Sequence, residues 1–465
     1  MPISQPQRPP DTSPAAIEAN RRGVFLHSQG ELAQAADAFR AGIAAQPEVA
    51  LLHVNLATVL VESGELDAAQ HEYETALGFD PELCAALAGL GSLHVRMGRF
   101  AQGRQCYERV LRNAPDDMAA HLAMYEIEQI DGNIPQALRH QRHVLERKSL
   151  FTQYAPHEKR RLLVLLVPGD WQANVPVDFL VDSQTTTVHK LYLLSPEQIA
   201  GAAIPQADVV FTAIAESDEN APWLALAADL VRRTGLPSIN DPLSILAGSR
   251  ENVARKLAAI AHLHMPATSR LARETLETGT LGMDFPIVVR PVGSQAGRDL
   301  ARIGNPPELA QYLQRVPAQA FYVMPFVDYR SPDGYYRKYR IIVVDGVPYA
   351  HHLAISPQWM IHYYNAPMRE TAWMREEEAF YLAHFERVFE EPLRAALSEI
   401  AKVMGLDYVG VDCSIDPQGR LLVFEADPAM VVHAGDDPEL FGYKNSHARL
   451  IFAAFQKLID RVRSR

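Results

Sequence analysis

Three carboxylates near the end of the chain have the types and the spacing for metal chemistry. Glu425 and Asp427 are two residues apart in an apolar run that favours a strand, so they share one face. A turn at residues 417–419 folds this run back onto the stretch that carries Asp412, which brings Asp412 opposite them. Carboxylates in apolar surroundings repel one another unless a cation neutralises them, and oxygen ligands favour a hard ion. The sequence therefore predicts a magnesium site.

Positively charged side chains form a complementary set. Arg290 ends the buried run 285–291, and a buried cation requires an anionic partner. Lys338 and Arg340 are two residues apart and so share one strand face. A glycine-containing loop, residues 293–299, follows Arg290, and the backbone N–H groups of such loops suit phosphate. Each cation alone would fit an ordinary surface, but together they predict a phosphate site beside the carboxylates.

Alternating strands and helices are expected to position these residues. Residues 161–170 and 207–220 predict buried parallel strands that run into polar loops, and residues 222–235 predict a helix, which together indicate a doubly wound α/β unit. Ligands of such units bind at the carboxyl ends of the strands. The polar residues there are either ligand contacts or ordinary turn residues: Gly169, Asp170, Asn174, Glu216 and Asn220. Two β-hairpins are predicted further along, over residues 335–356 and 408–430.

The first third of the chain repeats itself every 34 residues. Glycines, prolines and aromatic residues keep this period: Gly30, Gly64, Gly98, Gly132; Pro47, Pro81, Pro115; Phe39, Tyr73, Tyr107. Small residues at 23, 57 and 91 would let two helices approach closely, and the proline ends the second helix. The pattern resembles the tetratricopeptide repeat and predicts an all-α solenoid over residues 16–149 with a polar capping unit at its end. Such a stack binds a peptide or partner protein, or it is purely architectural.

Composition and charge exclude several classes of function. The 465 residues are 48% hydrophobic with a net charge of −12, which fits several globular domains and argues against a nucleic-acid surface. Three scattered cysteines predict neither disulfides nor zinc, so a reducing, cytoplasmic location is expected. The longest apolar run, residues 162–167, is too short for a bilayer, so no membrane partner is expected. Residues 1–15 are polar and proline-rich and predict a disordered tail.

The order of the chemical features resembles the ATP-grasp superfamily, and in particular the glutathione-synthetase-like carboxylate–amine ligases. The matching features in chain order are Lys256, Arg290, the glycine loop, the run 323–327, Arg340, Asp412 and the Glu-Ala-Asp run 425–427. The resemblance implies a linker at residues 150–160, an α/β domain at 161–248 and an α+β ATP-grasp domain at 249–465. It also implies ATP and two Mg²⁺ ions as cofactors, with Mn²⁺ as the alternative metal.

The resemblance also implies a role for each matching residue. Arg340 would face the γ-phosphate or an acyl phosphate, with Lys338 and His352 as further catalytic candidates. Two metal ions would be held by Asp412, Glu425 and Asp427. The phosphates and the adenine would be contacted by Lys256, Arg290, Ser294, Gly297, Met324, Phe326 and Val327. The family usually has lysine in place of Arg290 and asparagine in place of Asp427, but both replacements keep a group suited to the role.

The activity implied is ATP-dependent ligation, in which a carboxylate is phosphorylated and an amine attacks the acyl phosphate. The repeats suggest that these substrates are peptidic or that a partner protein is recruited. His351, His352 and His362 are expected either to line the acceptor site or to be core histidines. Two alternatives stay open: phosphoryl transfer to a hydroxyl, and a repeat scaffold whose nucleotide domain only senses ATP. The substrates and the oligomeric state, including a homodimer, do not follow from the sequence.

Overall fold

The computed structural model describes residues 12–294 and 297–464, except for the side chain of Tyr364. The chain divides into two compact units, Met1–Lys148 and Ser149–Arg465. Most of the predicted disordered tail, residues 1–11, lies outside the described residues. The first helix begins at Pro14, where the Ser13 side chain accepts a hydrogen bond from the backbone N–H of Ala16. In the described ranges, no helix combines the length and apolarity needed to cross a membrane.

Pairs of antiparallel helices make up the described part of the first unit. They are α1 (Pro14–Ser28), α2 (Leu32–Ala45), α3 (Ala50–Glu62), α4 (Leu66–Phe79), α5 (Cys84–Arg96), α6 (Phe100–Asn113), α7 (Met118–Ile130) and α8 (Ile134–Leu145). The loop inside each pair has its period-34 glycine at φ between 72° and 84°. Gly23 lies against the ring of Phe39, and a Cβ added to Gly91 would lie 3.0 Å from Tyr107. The repeating small and aromatic residues are therefore a packing pattern between paired helices.

A five-stranded sheet, called sheet 1, opens the second unit in the order β1-β3-β2-β4-β5. Its elements are β1 (Leu150–Gln153), β2 (Arg160–Leu166), α9 (Val177–Leu180), β3 (Thr186–Tyr192), α10 (Pro196–Gly201), β4 (Val209–Thr212), α11 (Ala221–Thr234), β5 (Ser238–Ile239) and α12 (Pro242–Leu246). The pairs among β2 to β5 are parallel, as the sequence predicts. Residues 150–160, expected to be a linker, instead include β1, which pairs antiparallel with β3 and so covers a strand edge that would otherwise be unpaired.

Two largely antiparallel sheets follow. Sheet 2 has the order β7-β10-β8-β9, and sheet 3 has the order β12-β11-β13-β14-β6. Their elements are α13 (Arg250–Leu257), β6 (Leu263–His264), β7 (Ser269–Ala272), α14 (Arg273–Glu277), β8 (Ile287–Pro291), β9 (Ala301–Ile303), α15 (Pro306–Arg315), β10 (Ala320–Pro325), β11 (Tyr336–Val344), β12 (Val347–Ser356), α16 (Ala372–Ala383), α17 (Phe385–Val388), α18 (Glu391–Met404), β13 (Tyr408–Ile415), β14 (Leu421–Asp427), α19 (Pro438–Phe441) and α20 (Asn445–Arg463). Asp345 and Gly346, at φ 53° and 74°, turn the β11–β12 hairpin where the sequence predicts it.

The last helix, α20, packs on both sheet 1 and sheet 3. The ring of Phe455 is 5.2 Å from that of Phe211 on β4 and 5.6 Å from that of Tyr408 on β13, measured between centroids. Beside this contact the buried amide of Asn240 donates to the carbonyl of Tyr408 at 2.8 Å and accepts from the N–H groups of Asp407 and Tyr408 at 2.9 Å. Strand β4, the residue that follows β5 and strand β13 are therefore held in a fixed relation.

Candidate active site

Four neighbouring strands of sheet 3 place polar residues opposite one another, in a row across the sheet that we call the charged rung. His352 on β12 is the register partner of Arg340 on β11, Arg340 of Asp412 on β13, and Asp412 of Glu425 on β14. A bulge in β12 adds His351 beside this rung, and a second register shift follows Asp412 in the pairing with β14. Bulges re-aim side chains near functional sites. The sheet is therefore distorted on both sides of its most charged rung.

Asp412 is the most strongly paired carboxylate of this rung. Arg340 donates to it twice, from Nε to Oδ1 at 2.7 Å and from Nη2 to Oδ2 at 3.0 Å. Lys338 Nζ lies 2.9 Å from Oδ2, and the Asp412 side chain is only 4% exposed. Burial would raise the pKa of Asp412, but the charges of Arg340 and Lys338 outweigh it and hold that pKa well below its usual range. Asp412 is therefore ionised, with both oxygens bound by cations.

Two arginines approach the rung from other elements. Arg250, the first residue of α13, forms an ion pair with Glu425. Arg290, at the end of β8, is 7% exposed and donates to the carbonyl and the hydroxyl of Ser294. Burial, followed by the charge of Arg250, lowers the pKa of Arg290 to about 10, so it stays cationic at neutral pH. Within the described part of the chain Arg290 forms no ion pair, and the nearby charge of Glu425 offsets the cost of its burial only in part.

Two further carboxylates stand close to these arginines. Burial, and then the charge of Asp427, raise the pKa of Glu216 to about 7. Burial and the neighbouring Glu425 also raise the pKa of Asp427, while its Oδ1 accepts a hydrogen bond from the backbone N–H of Ala429 at 2.7 Å. These neighbouring carboxylates therefore repel one another until a cation binds beside them.

A cavity beside these groups is lined by residues from all three sheets. The lining comes from the loop after β4, the start of α13, the glycine loop, β10 and the end of β14. Its polar and charged members are Glu216, Ser217, Asp218, Arg250, Ser294, Tyr322, Glu425 and Asp427. A cavity that places the guanidinium of Arg250 among several carboxylates suits a phosphorylated ligand accompanied by a metal ion.

Oxygen donors for a divalent ion are present, but the three predicted carboxylates, Asp412, Glu425 and Asp427, do not form one group arranged around a metal position. Among the described residues, no group of three or more histidine, cysteine or acidic side chains is arranged to hold a metal ion. Asp412 is bound to Arg340 and Lys338, and Glu425 is bound to Arg250. Glu425 and Asp427 line the cavity and fit magnesium in donor type, whereas Asp412 fits only after its cations withdraw. The three-ligand assignment stays a prediction.

Lys256 is not among the residues that line this cavity. It lies beside a separate groove, with Glu391 and Glu399 of α18. Lys256 lies six positions after Arg250, and this spacing places the two on different faces of the helix. Arg250 is therefore the cation that α13 brings to the site, and it is not among the residues predicted from the sequence. Its place in the first helical turn, directly after the turn at Ser249, was the available signal, because helix N-termini favour anions.

The predicted adenine contacts also lie outside the cavity lining. The ring of Phe326 packs 5.5 Å from that of Trp359, with the guanidinium of Arg302 4.7 Å above it. Its backbone N–H donates to the carbonyl of Pro286 at 2.9 Å, so that group is not free to bind a base. Met324 and Val327 flank it at and beyond the end of β10. Their role in binding adenine stays a prediction.

Two of the three predicted histidines, His351 and His352, form a buried wall next to Arg340. His351 and His352 are 4% and 7% exposed, and burial followed by the charge of Arg340 puts the pKa of both well below the usual value. Both imidazoles are therefore neutral. The ring of Tyr363 lies 4.6 Å from that of His352, and its hydroxyl donates to the fully buried Glu378 at 3.0 Å.

The glycine loop and the polar loop residues have more local roles. Gly297, at φ 68°, has the ring of His362 where a Cβ would stand. Asn174 bonds the backbone of Val167 at 2.9 and 2.8 Å, and Asn220 donates to the carbonyl of Ala215 at 2.9 Å. These asparagines thus serve turn geometry, whereas Glu216 from the same set of candidates lines the cavity.

Comparisons with known proteins bear on both units. Two tetratricopeptide-repeat family models match residues 26–83 and 60–126. No curated protein matches the chain by sequence. The solved structure of D-alanine–D-alanine ligase from Bacillus anthracis complexed with ATP is similar at 14% identity and a TM-score of 0.43, covering 66% of this chain and 99% of that one. VanG D-Ala:D-Ser ligase from Enterococcus faecalis is similar at 13% identity and 0.42, with 64% and 99% covered.

Another solved structure resembles the repeats. The first tetratricopeptide-repeat domain of Spaghetti (RPAP3), bound to an HSP90 peptide, is similar at 21% identity and a TM-score of 0.25, covering 26% of this chain and 96% of that one. The predicted fold class is confirmed in its coarse form: the chain joins helical tetratricopeptide repeats to α/β units with mixed sheets.

Proposed function

We propose that this chain is an ATP- and magnesium-dependent ligase that joins a carboxylate to an amine through an acyl phosphate. The observation that carries the proposal is Arg290, a buried arginine in the described part of the chain that forms no ion pair there. It bonds to Ser294 of the glycine loop, and Ser294 and Arg250 line the adjoining cavity. A buried cation requires an anion, and the triphosphate of ATP is the anion that this pair of arginines fits.

The charged rung would stabilise the group that is transferred. Asp412 holds Arg340 and Lys338 side by side, so both cations are already close to the place where negative charge would develop on a phosphoryl group. A magnesium ion, held by Glu425 and Asp427 and by Asp412 once its cations turn to phosphate, would supply charge neutralisation at the phosphates. Arg250, at present paired with Glu425, is placed to move to a phosphate when its partner becomes a metal ligand.

The histidine wall would act on the amine. An amine attacks an acyl phosphate through its lone pair, and a neutral imidazole is able to accept a hydrogen bond from the amine. His352 is neutral and is the register partner of Arg340, which puts it at the end of the rung where an acyl phosphate would be stabilised. We propose that His352 accepts a hydrogen bond from the amine and so orients it, with the tetratricopeptide repeats recruiting the peptide or protein that carries one substrate.

The test is ADP release from Mg·ATP in the presence of candidate carboxylates and amines, followed by mass analysis of the product. A product heavier by the condensed amine, formed with stoichiometric ADP, is the expected result. A phosphorylated product without an amide would identify phosphoryl transfer instead, and ATP binding without turnover would identify a sensing role. Arg290→Ala serves as the control, because it removes the proposed phosphate contact without touching the rung.

A further inference from the structure

The second and fourth repeats place a histidine at the same position. His53 and His121 are 68 residues apart, which is two repeats. The Nε2 atom of each ring lies close to the carbonyl oxygen of the proline that ends the preceding unit, at 2.8 Å from Pro47 and 2.9 Å from Pro115. A carbonyl oxygen only accepts hydrogen bonds, so Nε2 carries the proton in both rings.

The partners of the other ring nitrogen differ between the two repeats. His53 Nδ1 lies 2.6 Å from a carboxylate oxygen of Glu72, so a second proton on this ring would be held by an ion pair. His121 Nδ1 instead lies 2.8 Å from Nδ1 of His140, the residue two repeats after Glu72. With its proton on Nε2, the neutral ring of His121 accepts here and His140 donates.

The second histidine is fixed by its other neighbour. With its proton on Nδ1, His140 presents a bare Nε2, which lies 3.3 Å from the side-chain nitrogen of Gln136 and accepts from it. The whole chain of hydrogen bonds, from Gln136 through both rings to Pro115, is therefore made with neutral imidazoles. A second proton on His121 would set two N–H groups against each other across 2.8 Å.

The surroundings of the pair also disfavour a positive charge. Both rings are buried, and the ring of His143 stacks on that of His121 with centroids 3.9 Å apart. The charged groups facing the pair are Arg139, Arg147 and Asp116, and Asp116 already pairs with His143 and Arg147. Burial, followed by the charge of His121, lowers the pKa of His140 to about 4.

We propose that the contact between His121 and His140 stabilises the fourth repeat, formed by α7 and α8, in a pH-dependent way. In acid the pair takes up a proton and this repeat loosens, while the second repeat stays closed by His53 and Glu72. An unfolded histidine titrates near pH 6.5, above the folded pair, so the contribution to stability is complete above that pH and is lost as the pH falls towards 4. The partner-binding module would thus lose its last repeat in acid. This device does not depend on the proposed ligase activity.

Hydrogen exchange of the full-length chain at pH 7.5 and pH 5.0, followed by mass spectrometry and corrected for intrinsic rates, tests the proposal. Peptides within residues 118–145 report on the fourth repeat, and peptides within residues 50–79 report on the second as an internal control. We expect the opening equilibrium of the fourth repeat to rise on the order of tenfold at pH 5.0, with little change in the second. Equal protection of the fourth repeat at both pH values would overturn the proposal.

His140→Glu is the decisive variant, because it rebuilds in the fourth repeat the histidine–glutamate pair of the second. The acid-induced loss of protection should disappear in this variant, and an unchanged loss would contradict the role of the pair. If the variant opens already at pH 7.5, a double change, His121→Leu with His140→Cys, copies the third repeat, where Leu87 and Cys106 occupy these positions. The double variant should show the same protection at both pH values, and a loss like that of the parent would likewise refute the proposal.

Discussion

Replacing Asp412 by asparagine should destabilise the second unit by about 3–5 kcal/mol. The change keeps the shape of the side chain but leaves Lys338 and Arg340 without their shared anion. Their side chains are 13% and 22% exposed, so water replaces the lost carboxylate only in part. Removal of one member of a buried ion pair costs this much because the remaining charge stays buried and unpaired. The amide oxygen of the new residue still accepts one hydrogen bond, which prevents a larger loss.

Tryptophan fluorescence during urea unfolding measures this effect in the full-length chain. All four tryptophans, at positions 171, 223, 359 and 373, belong to the second unit, so the signal is not affected by the repeats. The free energy of unfolding follows from linear extrapolation to zero urea, and an unchanged slope shows that the same surface is exposed.

Two further variants separate the buried pair from a general loss of charge. Glu399→Gln removes the exposed pair with Lys402, whose side chain is 77% exposed, and should cost below about 1 kcal/mol. Asp412→Asn combined with Lys338→Met should lose less stability than Asp412→Asn alone, because one of the two unpaired cations is gone. If Asp412→Asn unfolds at the same urea concentration as the parent chain, the pairing of Asp412 with both cations is wrong.

Three other outcomes follow from the structure. Arg250→Ala should weaken ATP binding by roughly 2–5 kcal/mol while Lys256→Ala leaves it unchanged, which calorimetry with a non-hydrolysable analogue would show. Glu216 has a pKa raised from 4.5 to about 7, so its ionisation costs folding stability as the pH rises through that range. Glu216→Gln should therefore be about 1–2 kcal/mol more stable than the parent at pH 8 without divalent ions, and no more stable at pH 4, in urea midpoints. A fragment of residues 149–465 should fold and bind Mg·ATP, because repeats bury their faces mainly against each other; an insoluble fragment would contradict this.

The sequence predicts the members of the charged rung because its signals are local. Asp412 and Glu425 lie in apolar runs of alternating strand residues, separated by a clear turn, so their opposition follows from hairpin geometry. Arg340 and His352 lie in a second hairpin with an Asp-Gly turn of the same kind. Which strand of one hairpin pairs with which strand of the other is a long-range choice, and only the structure shows that β11 pairs with β13.

The sequence does not predict which face of a helix meets the cavity, or which cation pairs with which carboxylate. Lys256 and Arg250 belong to one amphipathic helix, and the choice between them requires knowing which face of α13 meets the cavity. The ion-pair partners of the carboxylates do not follow from the sequence either, because three acids and four cations in one region allow many pairings. In the structure Asp412 pairs with the two cations of its neighbouring strand, and Arg290 forms no ion pair among the described residues.

The walls of the cavity are held together by residues that do not line it. Glu216 comes from the loop after β4, whereas Glu425 and Asp427 come from β14, next to β13 in sheet 3. The contacts of Phe455 with β4 and β13, and the fully buried Asn240 beside them, fix the distance between these two walls. Mutual repulsion of the acidic groups tends to separate the walls, since the charge of Asp427 raises the pKa of Glu216. The apolar packing of α20 opposes that repulsion, so the chain can keep an excess of carboxylates facing a cavity in readiness for a cation.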